Sequence, residues 1–198
     1  MSLISETIRD ELRRAYTAPD RHYHNLAHIE AMLGLAGNHS GALSDSEAVE
    51  AAIWFHDAVY DTRRHDNEAK SAELAAERLA ALTSPERISR VATMIRATAG
   101  HTLPSFSNEA AKHDCVLFLD FDLAILGSPP DEFAAYEAAV RREYAWVPDP
   151  LWIEGRRKVV ESFLARPAIY ASPQFQRSHE GAARQNLAQS LAALTHAT

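Results

Sequence analysis

Ala51-Ala52-Ile53-Trp54-Phe55-His56-Asp57-Ala58-Val59-Tyr60-Asp61 decides how this chain folds. With Val49 ahead of it, the run reads as a helix capped by Ser44 or Asp45 and buried on most of its circumference. It carries an imidazole and a carboxylate, side by side, into apolar surroundings. Burying an unpaired carboxylate is costly, so Asp57 needs a partner, and a metal ion is the strongest candidate. The plainer alternative is a surface-facing Asp57 beside a core His56 bonded to backbone. Asp61 lies four residues beyond Asp57 and shares its face if the helix continues, which would let it orient a water or touch a second ion. Its plain role is to end the helix.

Helical spacing extends outward in both directions. Leu3, Ile4, Ile8 and Leu12 mark a first helix ending near Pro19, and Tyr23 to Leu35 a second that stops at Gly37. Asp66 opens an alanine-rich helix to about Leu82, and Ser84-Pro85-Glu86 caps a further one broken at Gly100. Asp114 to Leu126, Asp131 to Tyr144, Leu151 to Ala165 and the tail from Glu180 complete an all-α chain. Only 7 Gly and 9 Pro in 198 residues, with abundant Ala, Leu, Glu and Arg, point the same way. The length and a 46% hydrophobic content suit one domain over residues 1–198, and no linker or repeat marks a boundary.

A net charge of -7 disfavours a broad nucleic-acid surface, which needs a basic face. Cys115 lies in an apolar run and cannot form an intrachain disulfide, which fits a reducing compartment. Charges interrupt the N-terminal segment early, unlike a signal peptide, and no uncharged run approaches a membrane span. A soluble cytoplasmic protein is the expectation, with an oligomer left open.

Two further clusters carry chemistry. His24 and His28 stand four apart, so on a helix they would share a face; two surface or hydrogen-bonded histidines are the plain alternative. Asp120 and Asp122 are planted in Phe118-Leu119-Asp120-Phe121-Asp122-Leu123, where at least one requires a counter-charge. Two apart, they point to nearly opposite sides, so one of them faces the histidines, and their apolar neighbours do not decide which. The resulting nitrogen and oxygen donor set, drawn from separate helices, suits Mn, Fe, Mg, Zn or Co.

In order and spacing, Tyr23-His24-Asn25-Leu26-Ala27-His28-Ile29, Trp54 to Asp61, Asn67 to Ala72, Phe118 to Gly127 and Gly155-Arg156-Arg157 resemble the HD superfamily of metal-dependent phosphohydrolases, in particular its small bacterial members of unassigned substrate. The resemblance implies an HD-type helical bundle in which His28, His56, Asp57 and one later aspartate ligate one or two divalent ions. Asp122-Leu123 matches the last ligand site better than Asp120 does. His24-Asn25-Leu26-Ala27-His28 is also similar to the cyclic-nucleotide phosphodiesterases, which makes His24 the candidate general acid and His28 the ligand. His101 is similar to a further site histidine of two-metal members, so His101 and Asp120 are candidates for a second metal or substrate; His65 is a weaker one. The phosphodiesterases' histidine-rich continuation and purine-clamping glutamine pattern are missing.

The expected activity is hydrolysis of a phosphate ester, a nucleotide being one candidate, by a metal-activated water. Asp61 or the metal-ligating aspartate takes the proton of that water, and Lys70, Arg156 or Arg157 anchors the phosphate. The alternative is a non-catalytic metal- or nucleotide-binding helical module. A ferritin-like di-iron centre is disfavoured because no Glu-x-x-His pair occurs.

Overall fold

The computed structural model describes residues 3–106 and 108–196, with only the backbone at His196. Ten α-helices and two short 3-10 turns make up the regular structure, and the described residues include no strand, as the composition predicts. None of these helices is long and apolar enough to cross a membrane. They group into two compact units, one ending at Asp122 and one starting at Leu123.

The first unit holds α1 (Glu6–Tyr16), α2 (Leu26–Asn38), α3 (Ser46–Phe55), α4 (Asn67–Leu79), α5 (Pro85–Ala97) and α6 (Glu109–Asp122). Its centre is α3, which packs against the other five. Val49, Ala51, Ala52, Ile53 and Phe55 are wholly buried, because α3 is apolar on most of its circumference, with Glu47 and Glu50 keeping a partly exposed face. Each of Ile53 and Phe55 contributes roughly 1.5–3 kcal/mol by that burial.

Polar groups hold the start of α3 in place. Asp45 caps it by accepting from the Ala48 N–H at 3.1 Å. The buried Asp114 of α6 accepts the Ser44 and Asp45 N–H groups at 2.8 and 2.9 Å, and Arg87 of α5 reaches Asp45 and Glu47. This network uses orphan donors ahead of the helix, so its burial costs little.

Helix limits differ from the sequence reading: α6 stops at Asp122 rather than Leu126, and three further limits near the site differ too. Asn25 caps α2, so the helix begins at Leu26 and His24 lies ahead of it. α3 stops at Phe55, short of Val59. α6 begins at Glu109 because the Asn108 side chain accepts the Ala110 and Ala111 N–H groups.

The second unit opens with a 3-10 turn over residues 123–127, followed by α7 (Pro130–Glu143), α8 (Asp149–Leu164), α9 (Pro173–Ser178) and α10 (Glu180–His196). α10 packs on α8 and on the 3-10 turn. Asn186 of α10 donates to the Leu126 and Ser128 carbonyls, both at 2.9 Å, and the Tyr170 hydroxyl donates to Leu123 at 3.1 Å. These bonds tie α10 and the Tyr170 segment to the backbone of the 3-10 turn and of Ser128 just after it. The short α9, started by the Ser172 cap and Pro173, has no counterpart in the sequence reading.

Candidate metal centre

Three chain segments of the first unit converge on one point. The Asn25 side chain accepts the Ala27 and His28 N–H groups at 2.9 and 3.4 Å, fixing the first turn of α2 with His28 directed into the interior. His56 closes α3, its backbone N–H bonded to Ala52 and its ring Nδ1–H donating to the Ile53 carbonyl at 2.9 Å. That bond sets the tautomer and turns Nε2 toward the cluster. Asp122 is the last residue of α6.

There, His28 Nε2 lies 3.3 Å from His56 Nε2 and 3.1 Å from Asp122 Oδ1. His56 Nε2 is also 3.0 Å from Asp57 Oδ2 and 3.6 Å from Asp122 Oδ1. His101 Nε2 meets the other Asp122 oxygen, Oδ2, at 2.8 Å. His28, His56 and Asp122 form a group that could hold a metal ion, with ligand atoms all within 4.8 Å of one another. Asp57 adds a carboxylate oxygen beside it.

The donor set fits a divalent cation. Ligands about 2.1 Å from an ion stand about 3.0 Å apart along an octahedral edge and about 3.4 Å along a tetrahedral one. The separations of 3.0, 3.1, 3.3 and 3.6 Å bracket those edges. Two nitrogens and the Asp122 carboxylate, with Asp57 outside that three-residue group but 3.0 Å from His56, suit Mn, Fe, Co or Zn better than Mg, which prefers oxygen.

Electrostatics carry the same imprint. Burial works against a charged His56, but the Asp57 and Asp122 carboxylates outweigh it and lift the imidazole to about 9. Burial also opposes ionisation of both carboxylates. For Asp57 the His56 and His24 rings win, and for Asp122 the His56 and His101 rings do, holding both below the usual carboxylate range. The cluster attracts positive charge, which protons supply when no metal does.

The turn after α3 is clamped from a distance. The Ser71 hydroxyl of α4 accepts the Val59 N–H at 3.0 Å, and the Asn67 side chain accepts the Asp61 N–H at 3.2 Å while donating to the Asp61 carbonyl at 2.9 Å. Arg21 donates to the carbonyls of His24, Asp57 and Ala58 at 3.0, 2.7 and 3.1 Å. Neither Arg21 nor Tyr60, whose ring stacks on His24 at 4.4 Å, stands out in the sequence. An arginine that bonds only backbone carbonyls has no sequence signature.

His24 comes to the cluster without sharing a helix with His28; their ring centroids are 6.2 Å apart. Asp61 does not share a helical face with Asp57, since α3 has already ended; it is exposed and its Oδ1 accepts the Arg63 N–H at 2.9 Å. Of the aspartate pair, Asp122 faces the histidines, while Asp120 is buried outside the three-residue group. Lys70 is exposed and paired with Glu73 at 2.7 Å, and His65 and Arg157 are exposed. Arg156, in the second unit, is buried against Glu137 and the Tyr136 hydroxyl, so its charge is matched by a neighbouring carboxylate.

No protein-family model, no curated protein and no solved structure matches this chain.

Proposed function

We propose that the chain is a divalent-cation-dependent phosphohydrolase of the HD type, with His28, His56, Asp57 and Asp122 as the ligands. The observation that carries this reading is the convergence of His28, His56 and Asp122 on one point, with Asp57 and His24 beside it. A purely structural ion would need no additional imidazole at its edge.

A divalent ion held there supplies a Lewis acid that acidifies water and neutralises charge on phosphoryl oxygens. The remaining work falls to side chains. His56 keeps Nε2 available because its Nδ1–H is committed to Ile53. His101 donates from Nε2 to Asp122 Oδ2, orienting Oδ1 toward the other ligands. His24 donates a proton to the departing oxygen, the role of a general acid. The Tyr60 ring limits the orientations open to His24. The substrate class is a small phosphate ester, with nucleotides the first to try.

The test is phosphate release from a panel of nucleotides and simple aryl phosphate mono- and diesters, using chelated protein reloaded with Mn, Fe, Co or Zn in turn. Cation-dependent release that disappears in Asp57→Ala and His28→Ala supports the reading. A tightly bound ion with no release from any ester would instead identify a non-catalytic metal-binding module.

A further inference from the structure

Arg21 precedes both histidines of α2 and its approach, and nothing in the proposed chemistry uses it. Its guanidinium nevertheless joins the segment ahead of α2 to the turn after α3, reaching an Asp57 carbonyl 36 residues further along the chain. Nη1 donates to the His24 carbonyl at 3.0 Å and to the Asp57 carbonyl at 2.7 Å, while Nη2 donates to the Ala58 carbonyl at 3.1 Å. The guanidinium carbon lies 5.0 Å from the Tyr16 ring centroid and 5.3 Å from that of Tyr60. Tyr16 is itself buried, its hydroxyl donating to the Trp54 carbonyl at 3.0 Å.

We propose that Arg21 is the positioning residue of the cation site, holding the backbone that presents the Asp57 carboxylate and the His24 ring. The assignment rests on the cation-site reading, not on phosphoester hydrolysis. The planar fork suits this role, because two nitrogens reach three carbonyls while two aromatic rings flank the plane, which a single ammonium on a flexible stem cannot reproduce. The Tyr60 ring flanking Arg21 also stacks on His24, so one side chain bears on both the ligand and the candidate proton donor.

Charge and position make opposite demands here, and that gives the test its sign. A fixed positive charge near a divalent cation repels it. If Arg21 contributed charge alone, removing it would tighten metal binding. As the residue that places Asp57, its removal weakens binding, by roughly 10- to 100-fold for an outer-sphere contact of this kind.

Cobalt(II) is the probe, titrated into the chelated full-length chain and followed by its visible d–d bands. Arg21→Ala and Arg21→Gln should each lose that 10- to 100-fold in affinity and shift the bands as the Asp57 carboxylate moves, and Arg21→Lys should recover only part. Gly127→Ala, which crowds His179 in the second unit, should lower thermal stability without moving the bands. If Arg21→Ala does not fold, Arg21→Gln carries the measurement. Parent-like or tighter cobalt binding with unchanged bands in the folded variant overturns the assignment. A parent chain that takes up no cobalt overturns the cation reading and the assignment together. Cobalt binding without phosphate release, paired with the affinity loss, supports Arg21's role while sinking the hydrolase.

Discussion

His28 and His56 face each other through their Nε2 atoms at 3.3 Å, with Asp122 Oδ1 within 3.6 Å of both. Two imidazole lone pairs at that separation repel unless a positive centre lies between them. In metal-free protein that centre is a proton, and the carboxylates raise the affinity of His56 for it to about 9.

Metal and proton should therefore compete. Below about 9 a cation displaces the His56 proton, so apparent affinity should climb about tenfold per pH unit from 6.5 and level off near 9. Calorimetry in two buffers of different ionisation enthalpy should find about one proton released per ion at pH 7. The stability of the metal-free chain runs the other way. The His56 contribution is fully present below its unfolded value of 6.5 and fades as pH rises through about 9, so the melting temperature should fall over that window. Affinity that stays flat between pH 6.5 and 9 would contradict this.

His24 and the ligands should separate on mutation. Asp57→Ala removes a cluster carboxylate and should abolish metal retention. His24→Ala leaves the four donors intact and should keep metal content while lowering phosphate release by roughly 10²- to 10⁴-fold, the usual worth of a general acid. Elemental analysis alongside the activity assay checks both. Equal metal loss in the two variants would show that the division between ligand and proton donor is wrong.

His101 has a φ of 46°, in the left-handed region, and still donates to Asp122. A non-glycine residue there carries strain of order 1–3 kcal/mol, tolerated because the surroundings fix it. Both His101→Ala and His101→Gly should free Asp122 Oδ2 and weaken metal binding roughly 10- to 100-fold. The two should differ in stability, because glycine adopts this φ without penalty and alanine does not; His101→Gly should be more stable than His101→Ala by about 1 kcal/mol in urea unfolding. Equal midpoints would mean that the backbone relaxes and stores no strain.

How much of this can be read from the chain follows from the range of the forces involved. The burial of α3 and the anomaly of His56-Asp57 within it are local, written in an unbroken apolar run. The helical placement of His24 fails although the signal is present: Asn25 is a favoured cap, and a cap starts the helix after itself. Asp61 is misplaced because Ala58-Val59-Tyr60 continues the apolar pattern, whereas the chain turns there, held by Ser71 and Asn67 from α4. The apolar neighbours of Asp120 and Asp122 do not choose between them; the Asp122-Leu123 resemblance favours Asp122, and the physical reason lies in the packing of α6 against α2 and α3.

The second unit offers a prediction independent of metal. A Cβ at Gly127 would stand 2.8 Å from His179 Cβ, 2.9 Å from the His179 carbonyl oxygen and 3.0 Å from the Tyr170 hydroxyl. None of these yields easily. The His179 N–H is bonded to Phe175 at 2.8 Å and its ring stacks on Phe175 at 4.7 Å, while the Tyr170 hydroxyl is committed to Leu123 at 3.1 Å. Gly127→Ala should therefore destabilise the fold by about 1–3 kcal/mol, the range for overpacking. Gly155→Ala is the control, since its Cβ meets nothing within 4 Å and alanine favours the interior of α8 by about 1 kcal/mol. Urea midpoints moving in opposite directions support the packing described for the second unit, and a neutral Gly127→Ala would show that the 3-10 turn has room that these distances deny.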